Sequence, residues 1–528
     1  MNSGTAYTAR IALIVALGGF LMGFDASVIS GVVTFIEPEF ALSRIELGWA
    51  VASLTLTATI AMMVSGPLSD RLGRRPVLRI AAALFAVSAV LSAVAPDYWT
   101  LVAARMLGGF GVGAALIIAP MYIAELAPPA LRGRMVSLNQ LNIVLGISAA
   151  FFSNYLILTL GQSGAGWAQA LGLDSWAWRW MLGVEALPAV VYFFALLAVP
   201  ESPRWLVMRR RDGEALAIME RVSGRAAAEA ALADVRKTLD AEADQRPARL
   251  GELFRPALKR ALVIGLAVAV LQQITGINAV FFYAPMIFEQ SGIGTDASFM
   301  QAVLVGLVNL VFTVLAILLI DRLGRRPLLG FGLAGIAACM LLLAWGFGTA
   351  TYSLDVAALA QLPPELDAAA LQALAGQVFD SDVAFRQAVT AAIGGEAFLG
   401  HQSALVSAAI DMNPTLILVG ILGFVASFAI SLGPVMWVLF SELFPNRLRG
   451  LAVSFVGLVN SAVSFTVQLV FPWELENLGN SGTFGVFGLL AIVGWAFVMR
   501  RLPETRGRSL EELESELVGH QRPGGSGP

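Results

Sequence analysis

The heptapeptide DRLGRRP stands at residues 70–76 and again at 321–327, each time between two long apolar stretches. A second pattern, E-L-x-P-x-x-L-R-G, begins at Glu125 and again at Glu442. Two different marks recurring in the same order mean that the chain is duplicated. The offsets are 251 and 317 residues, so the second copy carries an insertion of about 66 residues between its marks, and residues 350–413 fit it. Where two apolar helices end side by side, a carboxylate can hold arginines in bidentate pairs. We therefore group Asp70, Arg74, Glu125 and Arg132 in the first half with Asp321, Arg325, Glu442 and Arg449 in the second as a charge latch; charges that merely set topology are the alternative.

Of the 528 residues, 57% are hydrophobic and 13% charged, with a mean hydropathy of +0.76, too apolar for a surface that faces water. About twenty apolar residues cross a bilayer core. About twelve such stretches begin near residues 11, 47, 77, 99, 134, 178, 258, 297, 327, 414, 450 and 482. The expected fold is an all-α membrane protein of twelve transmembrane helices in two pseudo-symmetric six-helix bundles. Residues 1–200 form the first bundle, 201–257 a linker of short amphipathic helices, 258–500 the second bundle and 501–528 a tail. The first apolar stretch is too long for a signal-peptide core and reads as the first span.

Lys and Arg gather at 69–76, 130–134, 201–260, 321–327 and 446–450, whereas the links near 32–46 and 160–176 are poor in them. The positive-inside rule then puts the former loops and both termini in the cytoplasm of a multi-pass cell-membrane protein, and the Ala-rich, Lys-poor composition leans towards a bacterial inner membrane. The insertion, with Arg386 its only basic residue, belongs outside. Its Ala-rich runs read as short helices that either cap the outer mouth or form an idle loop.

Other chemistry is excluded residue by residue. A net charge of −3 without a basic block gives nucleic acid nothing to bind, and the single Cys339 allows neither an internal disulfide nor a cysteine metal site. The only histidines, His401 and His520, lie outside the apolar stretches, so carboxylates must carry any proton within the membrane. GFGLAG at 330–335 matches a dinucleotide pattern but opens an apolar span, where small residues serve helix packing. No phosphate-binding G-x-x-x-x-G-K-[ST] loop occurs and no catalytic constellation is visible, so gradients rather than ATP must supply energy, and neither metal nor cofactor is expected.

Ionisable residues within spans cost about 2.5–3.5 kcal/mol each on insertion scales, so each needs a reason. The first half has three: Asp25 in GFDASVISG, Arg105 in ARMLGGFGVG and Glu185 in RWMLGVEALPA. On facing helices they would form one buried cluster, either a static salt bridge or a site that takes up and releases a proton.

PMYIAELAPPALRGRMVSLNQ (120–140), PESPRWL (200–206), LQQITGINAVFFYAP (271–285), GPVMWVLFSELFP (433–445) and PETRGRSLEE (503–512) resemble the signatures of the sugar porter family of the major facilitators, of which DRLGRRP is also a mark. The resemblance spans both halves and omits only the insertion and the termini. It implies a carrier of a small-molecule sugar, working by alternating access in the lipid bilayer, with protons as coupling ion; no obligate protein partner is evident in the sequence, and a monomer is the expectation. It adds Glu201, Arg204 and Glu504 to the charge latch and places sugar contacts at Gln140, Gln272, Gln273, Asn278, Asn309, Trp437 and Asn460. Amides meet hydroxyls in donor–acceptor pairs and a Trp ring covers a sugar's C–H face. Phe282 and Tyr283, before Pro285, fall where the seventh helix breaks as an outer gate, and Gly433-Pro434 suggests a break in the tenth. Proton-coupled members have an aspartate at the position of Asp25, which passive glucose carriers lack; symport is favoured over passive uniport. A carrier of a non-sugar solute and a transporter-like sensor remain as alternatives. Ala429 departs from the glutamate of passive carriers, and Ser461 and Ser464 from the Trp and Asn usual after the amide at 460, leaving that part of the site smaller and less amide-rich.

Overall fold

Twelve helices are long and apolar enough to cross a membrane in the computed structural model, which describes residues 3–128, 131–244, 249–360 and 362–505. In chain order these spans are Gly4–Glu39, Arg44–Leu72, Arg74–Ala93, Tyr98–Leu126, Arg132–Gln162, Ala177–Ala198, Leu258–Glu289, Gly294–Ile320, Arg325–Gly348, Pro414–Phe440, Arg447–Asn477 and Gly479–Arg501. Each covers one of the apolar stretches read from the sequence. Large apolar side chains such as Leu187, Leu318 and Phe331 stand exposed on the spans, as lipid-facing positions require. The all-α membrane class is what the chain adopts.

The chain divides into two compact units, Met1–Val32 with Ala50–Pro247, and Val33–Trp49 with Ala248–Pro528. Within the first unit the first and fifth spans touch backbone to backbone. A side chain at Gly23 would strike the Ile143 carbonyl and one at Gly146 the Phe20 carbonyl, so only hydrogen lets the two helices approach. The linker helices Pro203–Met208, Asp212–Ser223 and Arg225–Asp244 also belong to this unit and share an apolar cluster of Trp205, Leu206, Ala215, Met219, Ala228 and Leu232.

Prolines interrupt three spans at predictable distances. A proline lacks an N–H and its ring crowds the carbonyl four residues earlier. Pro434 acts in this way on Ile430, and the tenth span breaks at Ser431, two residues before the Gly433-Pro434 pair that announced it. Pro285 acts on Phe281, and Tyr283 leaves helical geometry at φ −127°. Pro188 acts on Val184, and the sixth span is interrupted between Gly183 and Ala186, at Glu185. The seventh span has a further break at Gly276, φ +92°, which the sequence reading did not anticipate.

The 350–413 insertion carries strands as well as the short helices read from its sequence. Short strands β1 (Thr351–Ser353), β2 (Val378–Phe379) and β3 (Ile410–Asp411) form an antiparallel sheet in the order β2-β1-β3, pairing Tyr352 with both Phe379 and Ile410. Helices including Asp382–Ile393 and Gln402–Ala409 close over it. Tyr352, Leu354, Leu371, Phe385, Val389, Phe398 and Leu405 make a core of its own. Truncating Phe385, which stacks on Tyr352 with ring centroids 5.5 Å apart, should therefore cost about 3–5 kcal/mol. Phe385→Ala is expected to raise hydrogen exchange across 350–413 while exchange in the spans stays unchanged.

Candidate functional site

Three groups of polar side chains stand out, one buried in the first unit, one in the second, and one at the helix ends of each. In the first unit Asp25, Arg105 and Glu185 come together, each no more than 3% exposed. Arg105 Nη1 lies 3.7 Å from Asp25 Oδ1, and its Nε donates to the Ala50 carbonyl at 3.2 Å. Glu185 is within electrostatic reach of both. Asp25 Oδ2 and Glu185 Oε1 have no hydrogen-bond partner among the described residues. Gly108, one helical turn after Arg105, makes the space: a methyl there would stand 2.7 Å from Asp25 Oδ2 and 2.6 Å from Ser88 Oγ. Gly108 escaped the sequence reading, because a glycine among glycines carries no signal of what it faces.

In the second unit the amides of the seventh and eleventh spans form a connected network. Gln273 Nε2 donates to Gln272 Oε1 (3.0 Å) and to Asn460 Oδ1 (3.2 Å), and Asn460 Nδ2 donates to Gln272 Oε1 (2.8 Å) and the Ala269 carbonyl (2.9 Å). Asn278 Nδ2 donates to Gln273 Oε1 (2.7 Å) and to Ser464 Oγ (2.6 Å). Gln468 Nε2 donates to Ser464 Oγ at 2.8 Å, and the backbone carbonyl of Gln468 accepts from the Tyr283 hydroxyl at 3.0 Å. Ser464, read from sequence as a loss of amide character, is thus a hub, and Gln468 is an addition to the site. Gln272 Nε2 reaches the Leu432 carbonyl, at 3.3 Å, just past the break in the tenth span. Trp437 in that span is 47% exposed, with its ring edge-on to Phe440. Phe282 is half-buried beside the kink and Tyr283 fully buried. Asn309, in the eighth span, is buried outside this network, and Gln140 is an exposed residue of the fifth span in the first unit.

The helix ends at the two DRLGRRP copies are built alike. Arg74 clasps Glu125 through Nε (3.1 Å) and Nη2 (3.0 Å), and its Nη1 donates to Asp70 Oδ1 at 2.7 Å. Arg325 Nη2 donates to Glu442 Oε1 at 2.8 Å in the other unit. Glu201 Oε1 accepts from the backbone N–H groups of Arg74 (3.0 Å) and Arg75 (3.2 Å), at the start of the third span. Glu504 does the same for Arg325 (3.0 Å) and Arg326 (3.1 Å), at the start of the ninth. A hydroxyl beside each of these carboxylates completes the likeness, Ser202 donating to Glu125 and Thr505 to Glu442. PES at 200–202 and PET at 503–505 are therefore a third internal repeat, too short to be noticed as one. Gly73 and Gly324, at φ +106° and +90°, permit the turn and leave room for the carboxylate. Burial pushes Glu201 up from the ordinary carboxylate value, while the N–H groups of Ser202, Arg75 and Arg74 draw it back. Arg132 is exposed, Arg449 Nε and Nη2 have no partner among the described residues, Arg204 belongs to the helix that follows Glu201, and the Asp321 side chain lies outside the described residues.

A model of the family described as "Sugar (and other) transporter" matches residues 11–360 and 384–517. The chain belongs to this family. It is 36% identical over 509 residues to the arabinose-proton symporter of Bacillus subtilis (strain 168), covering 96% of this chain and 94% of that one. It is 33% identical over 543 residues to the D-xylose-proton symporter of Escherichia coli (strain K12), covering 97% and 96%. The inward-open conformation of the xylose transporter XylE from E. coli superposes with a TM-score of 0.73 at 32% identity, over 97% of this chain and 100% of that one. The protein is accordingly a major facilitator and a sugar porter, a transporter rather than an enzyme.

Because each carboxylate serves a helix N-terminus, Glu201→Gln and Glu504→Gln should each remove about 1 kcal/mol. Thermal unfolding in detergent is expected to show equal drops in Tm for the two variants, and an additive drop for the pair.

Proposed function

We propose that this protein is a monomeric, proton-coupled monosaccharide symporter of the cell membrane, with both termini and the DRLGRRP loops in the cytoplasm. The observation that carries this reading is the buried Asp25–Arg105–Glu185 cluster. Two carboxylates share one guanidinium there, and an uncompensated charge so deep is costly unless a proton joins it. Protons alone serve as coupling ion; no cofactor is involved.

The cycle follows from charge and hydrogen bonding. Ionised Asp25 holds Arg105 and thereby ties the first span to the fourth. A proton arriving on the free oxygen beside Gly108 cancels that attraction, and Arg105 keeps its bond to the Ala50 carbonyl and its attraction to Glu185. In the second unit, sugar hydroxyls replace the bonds that Gln272, Gln273, Asn278 and Asn460 make with one another. Each hydroxyl is donor and acceptor at once, so the exchange leaves no amide unsatisfied. The breaks at Gly276, Tyr283 and Ser431 let half-helices tilt around the loaded site. One proton crossing supplies about 2.3 kcal/mol per 100 mV and about 1.4 kcal/mol per pH unit, enough to concentrate a neutral sugar more than tenfold. The names of the relatives, for arabinose and xylose symport with protons, support a proton-coupled monosaccharide carrier, with pentoses as the first sugars to test.

Uptake of labelled monosaccharides into energised vesicles tests this. Asp25→Asn is expected to abolish accumulation against a gradient while sugar counterflow survives. Gly108→Ala, which crowds the same oxygen, should lower accumulation at least tenfold. Normal accumulation by Asp25→Asn would refute the role of Asp25, and uptake by the native chain that equilibrates without accumulating, with or without a protonophore, would establish passive uniport.

A further inference from the structure

The second unit contains a cleft of about 510 Å³ that the proposed cycle does not use. It lies at the end of the spans opposite the DRLGRRP loops, between the end of the first span, the end of the seventh and the 350–413 insertion. Its volume falls in the range of about 300–1,000 Å³ that small-molecule sites occupy. Among its lining residues are Phe35, Glu37, Glu289, Gln290, His401 and Ser403.

Gln290 is the informative one. It is 5% exposed, and neither its amide nitrogen nor its oxygen has a hydrogen-bond partner among the described residues. A buried amide with both ends open is costly unless something fills them. The surrounding groups say what. Glu37 is already paired with Arg44, and the Glu289 carboxylate accepts from Thr295. Because a carbonyl only accepts, His401 Nδ1 donates to the Ala397 carbonyl at 3.1 Å, which leaves Nε2 as an acceptor in the neutral ring. Ser403 Oγ sits 3.4 Å from Thr295 Oγ1. An anion would meet Glu289. No group of three or more His, Cys, Asp or Glu among the described residues could hold a metal ion. Amide, hydroxyl and imidazole groups beside carboxylates that already have partners, with Phe35 as an apolar neighbour, suit an uncharged polyhydroxylated molecule with an apolar side. The wall is held in place, since Asp382 of the insertion accepts from the backbone N–H (3.1 Å) and the side-chain amide (2.8 Å) of Asn480 in the twelfth span.

We propose that this cleft is a second, outer sugar-binding station, built jointly by the spans and the insertion, which holds a monosaccharide before it reaches the amides around Gln273. The proposal rests on the sugar-transport reading and on the orientation given above. Its physical consequence is a weak site that raises the local sugar concentration at the mouth without taking part in coupling.

The test uses the full-length chain in detergent with D-xylose as probe, repeated with L-arabinose, D-glucose and D-galactose. Gln273→Ala/Asn278→Ala disables the inner amides. Saturation-transfer NMR should still report weak binding to this double variant, and the signal should vanish when Gln290→Leu is added. Ser403→Phe, which puts a ring on the lining of the cleft at a half-buried position, should abolish it equally and guards against misfolding of the buried substitution. In the otherwise native chain, Gln290→Leu should raise the apparent KM for uptake about three- to tenfold and leave the maximal rate within about twofold. Absence of residual binding in the double variant, or residual binding insensitive to both cleft substitutions, would overturn the outer station while leaving the transport reading intact. If the native chain neither binds nor transports any of the four sugars, the transport reading falls and the station falls with it.

Discussion

A guanidinium that is 1% exposed in a membrane-spanning helix dictates much of what surrounds it. Arg105 keeps its charge and is shielded from solvent in this structure, so neighbouring helices must bring it acceptors. The first span supplies Asp25 and the second the Ala50 carbonyl, while Glu185 of the sixth, which Pro188 leaves at an interruption of that helix, attracts it electrostatically. Four of the first unit's six spans are thereby tied to one side chain. The balance is incomplete by construction, since the acids outnumber the base. Removing Arg105 would strand both carboxylates, whereas a single proton on Asp25 changes the tie without breaking the assembly. A static salt bridge would be better served by one carboxylate in full bidentate contact, the arrangement seen between Arg74 and Glu125.

The two halves share their helix-end chemistry and divide their interior chemistry. Arg74 with Glu125 and Glu201 repeats as Arg325 with Glu442 and Glu504, down to the glycine that admits each carboxylate. Such contacts bear on how spans are joined, a task common to both halves. The interiors differ in the groups they bury. The first unit buries the charged Asp25, Arg105 and Glu185; the second buries the amides of Gln272, Gln273 and Asn460 with Ser464.

Much of this was legible in the sequence because it depends on properties that are local or composite. Twelve spans follow from run length and apolarity alone. The duplication follows from DRLGRRP, and the breaks near Tyr283 and Ser431 follow from Pro285 and Pro434 acting four residues upstream. The cluster of Asp25, Arg105 and Glu185 was anticipated because charge within a span is conspicuous. What stayed hidden depends on pairing across distance. The strands of the insertion are two or three residues long, too short for any alternation to show, and the paired β1 and β3 lie far apart in the chain. Gly276 breaks the seventh span without a proline to announce it. Ser464 read as a deficit because its partners Asn278 and Gln468 are identifiable only in space, and Gly108 matters for the atom it faces rather than for its own chemistry.

The central claim is that sugar and proton move together through one molecule. Its most direct test is electrical: purified protein in liposomes on a solid-supported membrane, with sugar added in the absence of any imposed gradient. The account predicts a sugar-evoked inward positive current from the native chain, carried by protons, and none from Arg105→Ala, in which Asp25 has lost its partner. Sugar entry measured in the same liposomes without any accompanying charge movement would contradict it.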